Sequence, residues 1–195
     1  MRLLAFSDIH RDDRKARELA DMAADVDVVV AAGDFASVHI GLDKLIDMLV
    51  VIETPTVLVP GNNETEGALR EACTGWKAAT VLHGEGTTID GVSFYGLGGG
   101  IPTTPWDWSF DLTEEEAEAK LAGAPDGGVL VVHSPPKGNL DGPRELGSEA
   151  ILRAIEQKQP RVAICGHVHE DGGKEDRIGP TRLYNVGPEG TFIEI

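Results

Sequence analysis

Seven residues in this chain belong to the types that hold divalent metals through oxygen or nitrogen, and each stands where a short apolar run stops. Asp8 and His10 follow residues 3–6, Asp34 follows residues 26–32, and Asn62 follows residues 56–59. His133 follows residues 129–132, and His167 and His169 follow residues 161–165. No thiolate is among them. That donor set suits first-row divalent ions, manganese ahead of iron, nickel, cobalt or zinc. Seven donors are too many for one ion and suit two. A shared carboxylate can bridge two ions roughly 3.5–4 Å apart and hold a water between them. That water becomes hydroxide near neutral pH and is a natural nucleophile for in-line attack on phosphorus.

Taken singly, each of these residues has a blander explanation. An Asp after a strand caps the next helix, and a His there is an ordinary hydrogen-bonded edge residue. The bland explanation must hold five times over, because five apolar runs end in ligating types. Four of the six histidines fall at these ends.

The elements that must position them follow from pattern. Residues 2–6, 26–32 and 56–59 read as buried strands. Between them, residues 13–24 and 42–51 carry apolar positions at helical spacing, the first capped by Asp12 or Asp13 and the second stopped by Thr54-Pro55. A short helix is expected over 66–72. The rhythm strand, helix, strand, helix, strand implies parallel strands joined by right-handed crossovers. In such sheets ligands bind at the carboxyl ends of the strands. Further on, 80–82 and 92–97 read as short strands with a turn over 87–91 between them. Gly98-Gly99-Gly100 opens a loop over 101–110. Thr113 and Glu116 have capping-box spacing and start an acidic helix to about 121, with 114–118 as a solvated face. Strand 129–132, helix 148–157 and strand 161–165 follow. Residues 181–185 and 191–195 read as a hairpin-like pair. No repeat or linker interrupts residues 1–195, which are expected to form one domain.

Composition narrows the function classes. The net charge is -16, from 33 acidic and 17 basic residues, and only seven of the latter are lysines. This surface repels nucleic acid over long range, so a nucleic-acid partner, and with it a nuclease, is disfavoured. An acidic, lysine-poor surface also resembles that of proteins from salt-loving organisms, which implies stability that rises with molar KCl. No apolar stretch is long enough to span a bilayer, and no signal peptide is evident, so no membrane partner and a cytoplasmic location are expected. Cys73 and Cys165 form no metal-type pair, and Cys165 reads as a reduced core residue.

In order along the chain, Asp8-Ile9-His10, Gly33-Asp34, Gly61-Asn62-Asn63-Glu64, His133 and Gly166-His167-Val168-His169 resemble the five signature blocks of the calcineurin-like metallophosphoesterases. The loop 96–116 and His133-Ser134-Pro135-Pro136 are similar to a small prokaryotic subgroup of that family. Asn185-Val186-Gly187-Pro188 resembles its closing Asn-Pro-Gly turn, with Val186 in place of proline. The resemblance implies a four-layer αββα sandwich. It implies that Asp8, His10 and His169 hold one ion and Asn62, His133 and His167 the other, with Asp34 bridging. The substrate it implies is a small phosphate ester, cut by a hydroxide bridging the ions.

Asn63 departs from the family pattern, where many members carry a His that binds phosphate or protonates the leaving group. An amide donates a hydrogen bond but is no general acid at neutral pH, which tilts the expectation toward phosphodiesters. His39, five residues after Asp34, is a candidate substitute acid or phosphate contact. Trp106 and Trp108 are candidate substrate contacts that could stack on a base or wall off the site. His83 is read as structural. The competing expectations are a phosphomonoesterase, a dimetal hydrolase of other esters or amides, and a non-catalytic metal-binding scaffold on the same fold. The scaffold is weakened because all seven ligand positions are filled.

Overall fold

A computed structural model describes residues 1–195. The first half alternates as the hydrophobic rhythm requires: β1 (Arg2–Phe6), α1 (Asp13–Met22), β2 (Val28–Ala31), α2 (Leu42–Leu49), β3 (Thr56–Leu58), α3 (Glu66–Ala72) and β4 (Ala79–Val81). β1 to β4 pair in parallel, in chain order. The second half supplies β5 (Glu85–Ile89), β6 (Val92–Leu97), α4 (Glu114–Leu121), β7 (Val129–Val132), α5 (Glu149–Lys158), β8 (Val162–Cys165), β9 (Lys174–Ile178), β10 (Thr181–Asn185) and β11 (Thr191–Glu194). One sheet runs β11-β1-β2-β3-β4 and the other β5-β6-β7-β8-β10-β9.

The two sheets stack because their central strands are apolar on both faces. In β1, Leu3 and Ala5 join the core between the sheets, while Leu4 and Phe6 meet α1 and α2. In β7, Val129 and Val131 face the other sheet, and Leu130 and Val132 face the core built with α4 and α5. Three cores between four layers give the αββα sandwich. The helices begin where capping chemistry places them: Asp12 accepts from the Arg14 and Lys15 N–H groups, Thr113 and Glu116 form a reciprocal capping box, and Ser148 caps α5. No helix is long and apolar enough to cross a membrane.

Three expectations need correction, and one strand, β9, has no counterpart among them. The turn expected over 87–91 is confined to Asp90-Gly91: Thr87, Thr88 and Ile89 lie in β5, which pairs antiparallel with β6. The two tail strands do not pair with each other. β10 joins β8 in parallel and β11 joins β1 in the other sheet, so the tail crosses between sheets, with β10 inside one and β11 at the edge of the other. β9 is exposed and charged over most of its length, which hid it from a search for apolar runs. Glu115, Glu116 and Glu118 are exposed as expected, but Glu114 is half-buried and engaged: its carboxylate accepts from the Ser148 hydroxyl and from the Glu149 and Ala150 N–H groups, at the start of α5.

Candidate metal centre

The loops after β1, β2, β3, β7 and β8 meet at one edge of the sandwich and bring the seven ligand-type residues together. Sharp backbone turns make this convergence. Asp8, His10, Asp34 and His167 have φ of 57, 38, 58 and 68°, in the left-handed region that non-glycine residues seldom occupy. Gly61 lies so close that a Cβ there would sit 2.0 Å from Asp34 Oδ1, and one on Gly166 would sit 2.3 Å from Ser7 Oγ. Both must be glycine for the loops to approach. Hydrogen bonds then lock loop to loop: Asp8 N–H donates to the Gly33 carbonyl, His10 N–H to the Asp34 carbonyl, and Gly166 N–H to the His133 carbonyl.

Asp8, His10 and His169 form one group of donors, and Asp34, His133 and His167 a second. His10 Nε2 lies 3.1 Å from His169 Nε2, and His169 Nε2 lies 3.5 Å from Asp8 Oδ1. Asp34 faces both groups, its Oδ2 3.5 Å from His10 Nε2 and its Oδ1 3.5 Å from His133 Nε2. Asn62 joins the second group, its Oδ1 3.3 Å from His133 Nε2. Neighbouring donors on an ion held at about 2.1 Å stand about 3.0–3.4 Å apart, from octahedral to tetrahedral arrangement. The observed spacings of 3.1–3.5 Å lie within or just above that range, so the residues suit a pair of divalent ions.

The surroundings aim these donors. His133 Nδ1 lies 2.7 Å from the Ala32 carbonyl and His10 Nδ1 3.1 Å from the Ala36 carbonyl. A carbonyl only accepts, so Nδ1 carries a proton, and in the neutral ring each Nε2 presents its lone pair inward. The Asn62 amide donates to Ser109 Oγ at 2.9 Å, which points its Oδ1 at His133. Asp8 accepts from Ser7 Oγ and from the His167 N–H.

Ionisation follows from placement. Burial opposes the charge of Asp8, but the hydrogen bond from His169, the charge of His133 and the Ser7 hydroxyl outweigh it and bring the carboxyl to about 2. Burial, with the neighbouring His133 charge, pushes His167 down to about 4, leaving it neutral with a free lone pair. Burial works against protonation of His133, yet Asp34 and Asp8 draw its pKa above the usual histidine value. The His169 pKa is raised by its hydrogen bond to Asp8.

Glu64 was legible only as part of a motif, with no role. It is almost wholly buried, and its carboxylate accepts from the Asp34 and Gly61 N–H groups through Oε1 and from the Ala36 N–H through Oε2. It ties the β2 and β3 loops together. Burial and the charge of Asp34 push its carboxyl up to about 7. A carboxylate two residues after a ligand, in a Gly-Asn-Asn-Glu turn, is the signal that could have drawn attention to it.

The remaining candidate residues lie around a cavity of about 390 Å³ over the ligands, lined by His10, Asp34, Asn62, Asn63, Trp106 and Trp108 among others. Asn63 reaches this wall, but both ends of its amide are engaged, Nδ2 with Asp34 Oδ2 at 2.7 Å and Oδ1 with the Val38 N–H at 2.8 Å. His39 is not on the cavity wall, and its Nε2 meets the Trp108 carbonyl. Trp106 and Trp108 stack on each other, centroids 5.6 Å apart and planes 12° from parallel. His83 Nδ1 accepts from the Gly98 N–H at the base of that loop.

The family match agrees with this geometry. The sequence model of the calcineurin-like phosphoesterase superfamily domain matches residues 1–191, and the chain belongs to that superfamily. Its similarity to named proteins is more local. It is 38% identical over 96 residues to a UPF0046 protein of Caenorhabditis elegans, covering 48% of this chain and 33% of that one. It is 31% identical over 125 residues to human metallophosphoesterase domain-containing protein 1, covering 60% of this chain and 35% of that one. The matches thus span about a third of the length of these curated relatives. Among solved structures, TT1561 of Thermus thermophilus superimposes with a TM-score of 0.79 at 18% identity, covering 96% of this chain and 90% of that one. A dimetal phosphatase from Danio rerio superimposes at 0.67 and 13% identity, covering 95% and 86%. These two likenesses establish the fold.

Proposed function

We propose that this protein is a dimetal-dependent hydrolase of small phosphate esters that favours phosphodiesters. The observation that carries the reading is the convergence of seven nitrogen and oxygen donors at one strand edge, with neighbouring atoms 3.1–3.5 Å apart, beneath an open cavity. Asp8, His10 and His169 would hold one ion, Asn62, His133 and His167 the other, and Asp34 would serve both; manganese suits this donor set, as do iron, nickel, cobalt and zinc. Two divalent ions, when bound, supply the positive charge that ionises a water near neutral pH and stabilises the phosphoryl oxygens.

The protein's own contribution is orientation. Asp34 is held at both oxygens by Asn63, and the His10 and His133 lone pairs are aimed by backbone carbonyls. In the reaction a water oxygen bonds to phosphorus, the ester P–O bond breaks, and the departing oxygen takes its proton from solvent. No side chain on the cavity wall other than the ligand histidines is an imidazole. Asn63 can steady a phosphate oxygen but cannot protonate a leaving group, which favours diesters with good leaving groups over alkyl monoesters. His39 acts in this reading as a positioning residue, through the tryptophan loop it tethers, while Trp106 and Trp108 contact the substrate. The acidic surface argues against a nucleic-acid partner. Two buried, free cysteines suit the reducing cytoplasm.

The test is a screen of manganese-supplemented protein against phosphomonoesters, linear diesters and cyclic diesters. Diester hydrolysis that exceeds monoester hydrolysis supports the reading. Faster cleavage of a nitrophenyl monoester than of its diester overturns the preference, and a pure protein that cleaves nothing, with or without bound divalent metal, supports the scaffold.

A further inference from the structure

The space above the ligands is two-sided. The cavity bounded by Trp106 and Trp108 and a second cavity of about 220 Å³ share three walls, His167, His169 and Leu146. The second is also lined by Pro143 and Arg144, which do not line the first. A ligand phosphorus seated over His167 and His169 therefore has room for a substituent in each direction, and the two directions differ chemically. One cavity is lined by Trp106, half exposed and stacked on Trp108, which lines the same cavity. The loop beneath it is held by His39, by the Ser109–Asn62 contact and by the Phe110 N–H on the Asn62 carbonyl. An aromatic plane fixed in this way, yet left in solvent, is a stacking platform. On the other side Arg144 is the one basic residue lining either cavity. In a chain of net charge -16 its guanidinium makes no ion pair or hydrogen bond, not even with Glu170 of the same cavity.

We propose that the substrate is a phosphodiester with two unlike arms: a flat aromatic group that stacks on Trp106 and an arm ending in an anion that pairs with Arg144. This rests on the phosphodiester reading above and deepens it. A monoester would fill only one side, whereas a diester fills both.

Two phosphinates whose substituents are both attached through P–C bonds, and which therefore cannot be hydrolysed, separate the arms. Both carry a 4-nitrobenzyl group; one has 2-carboxyethyl and the other propyl as its second substituent. Binding to manganese-loaded protein is read by quenching of tryptophan emission and by calorimetry. The carboxyethyl compound is expected to bind about fivefold tighter than the propyl compound, the size of one exposed charge pair. Arg144→Gln is expected to erase that difference while leaving the propyl compound unchanged. Trp106→Ala is expected to weaken both about tenfold and to keep their ratio. Both side chains are solvent-exposed, so neither change threatens folding. Equal binding of the two compounds to the unaltered protein, or a Trp106→Ala protein that binds them as well as the original, overturns the two-arm assignment while the phosphodiester reading stands. If neither compound binds but a nitrophenyl monoester is still hydrolysed, both fall together.

Discussion

Asn63 grips both oxygens of Asp34: its backbone N–H donates to Oδ1 at 2.9 Å and its side-chain amide to Oδ2 at 2.7 Å. Because each of those oxygens faces a different ligand group, the orientation of the carboxylate between the two groups depends on Asn63. Asn63→Ala keeps the backbone contact and loses the amide. Groups that orient a metal ligand are worth about 10–100-fold in metal affinity or activity, and a loss in that range is expected in a manganese titration. Asn63→His is a sharper probe of the leaving-group step. It should raise the ratio of monoester to diester hydrolysis if the missing acid limits the reaction. An unchanged ratio points to another proton source or to a slow step other than chemistry.

Asp34 itself is the only residue that faces both donor groups. Asp34→Asn keeps the shape but gives up the charge and one accepting oxygen. Metal content measured on the purified protein should fall from two ions toward one, and nearly all activity should go with it. Chelation of the unaltered protein should abolish activity and lower the melting temperature, since an ion that binds only the folded state stabilises it. Full activity in the Asn variant would refute the bridging assignment.

Glu64 organises the site from beneath without reaching the cavity. Three backbone N–H groups, from Asp34, Ala36 and Gly61, end on its two oxygens. Glu64→Gln replaces one accepting oxygen with an NH₂ group that faces at least one of those donors. A buried donor left without a partner costs about 1–3 kcal/mol, and each kcal/mol lowers the melting temperature of a chain this size by roughly 2–4 °C. Melting of the metal-free variant isolates this effect from ligand loss. A variant that melts with the original would mean the three N–H groups find other partners.

These residues also mark what the chain discloses by itself. Asp8, Asp34, Asn62, His133 and His167 could be grouped from sequence because parallel strands deliver their carboxyl ends to a common edge. Finding apolar runs was then enough to find neighbours in space. Glu64 and Glu114 escaped as to role because most of their partners are backbone N–H groups of other loops and helices; the Gly-Asn-Asn-Glu turn marks Glu64 but not the groups it holds. The crossing of the tail between sheets escaped for a related reason: strand pairing over long range is decided by which edge is free, not by the strand's own residues. β9 escaped because an exposed edge strand needs no apolar side chains, and its charges are what keep such an edge from pairing further. Asn63 sits between these cases. Its type could be read as a departure in leaving-group chemistry, but its hold on Asp34 needed the folded loops.

The excess of 16 negative charges is expected to make stability a function of salt. Some carboxylates are matched, as Glu18 and Glu189 are by Lys15 and Glu66 and Glu85 by Arg70, but with 33 acidic and 17 basic residues about half can have no partner of their own. Their mutual repulsion acts on the compact state more than on the expanded one, because folding brings the charges closer together. Salt shortens the reach of that repulsion from about 10 Å at a tenth molar to about 3 Å at molar strength. The melting temperature is therefore expected to climb as KCl goes from low to molar concentration, with most of the gain before the screening length falls below the spacing of the surface charges. Metal-free protein is the proper sample, since chloride and ionic strength also alter metal affinity. A melting temperature that does not move between low and molar KCl would show that the acidic surface carries no salt-dependent penalty, and the likeness to proteins of salt-loving organisms would then be one of composition alone.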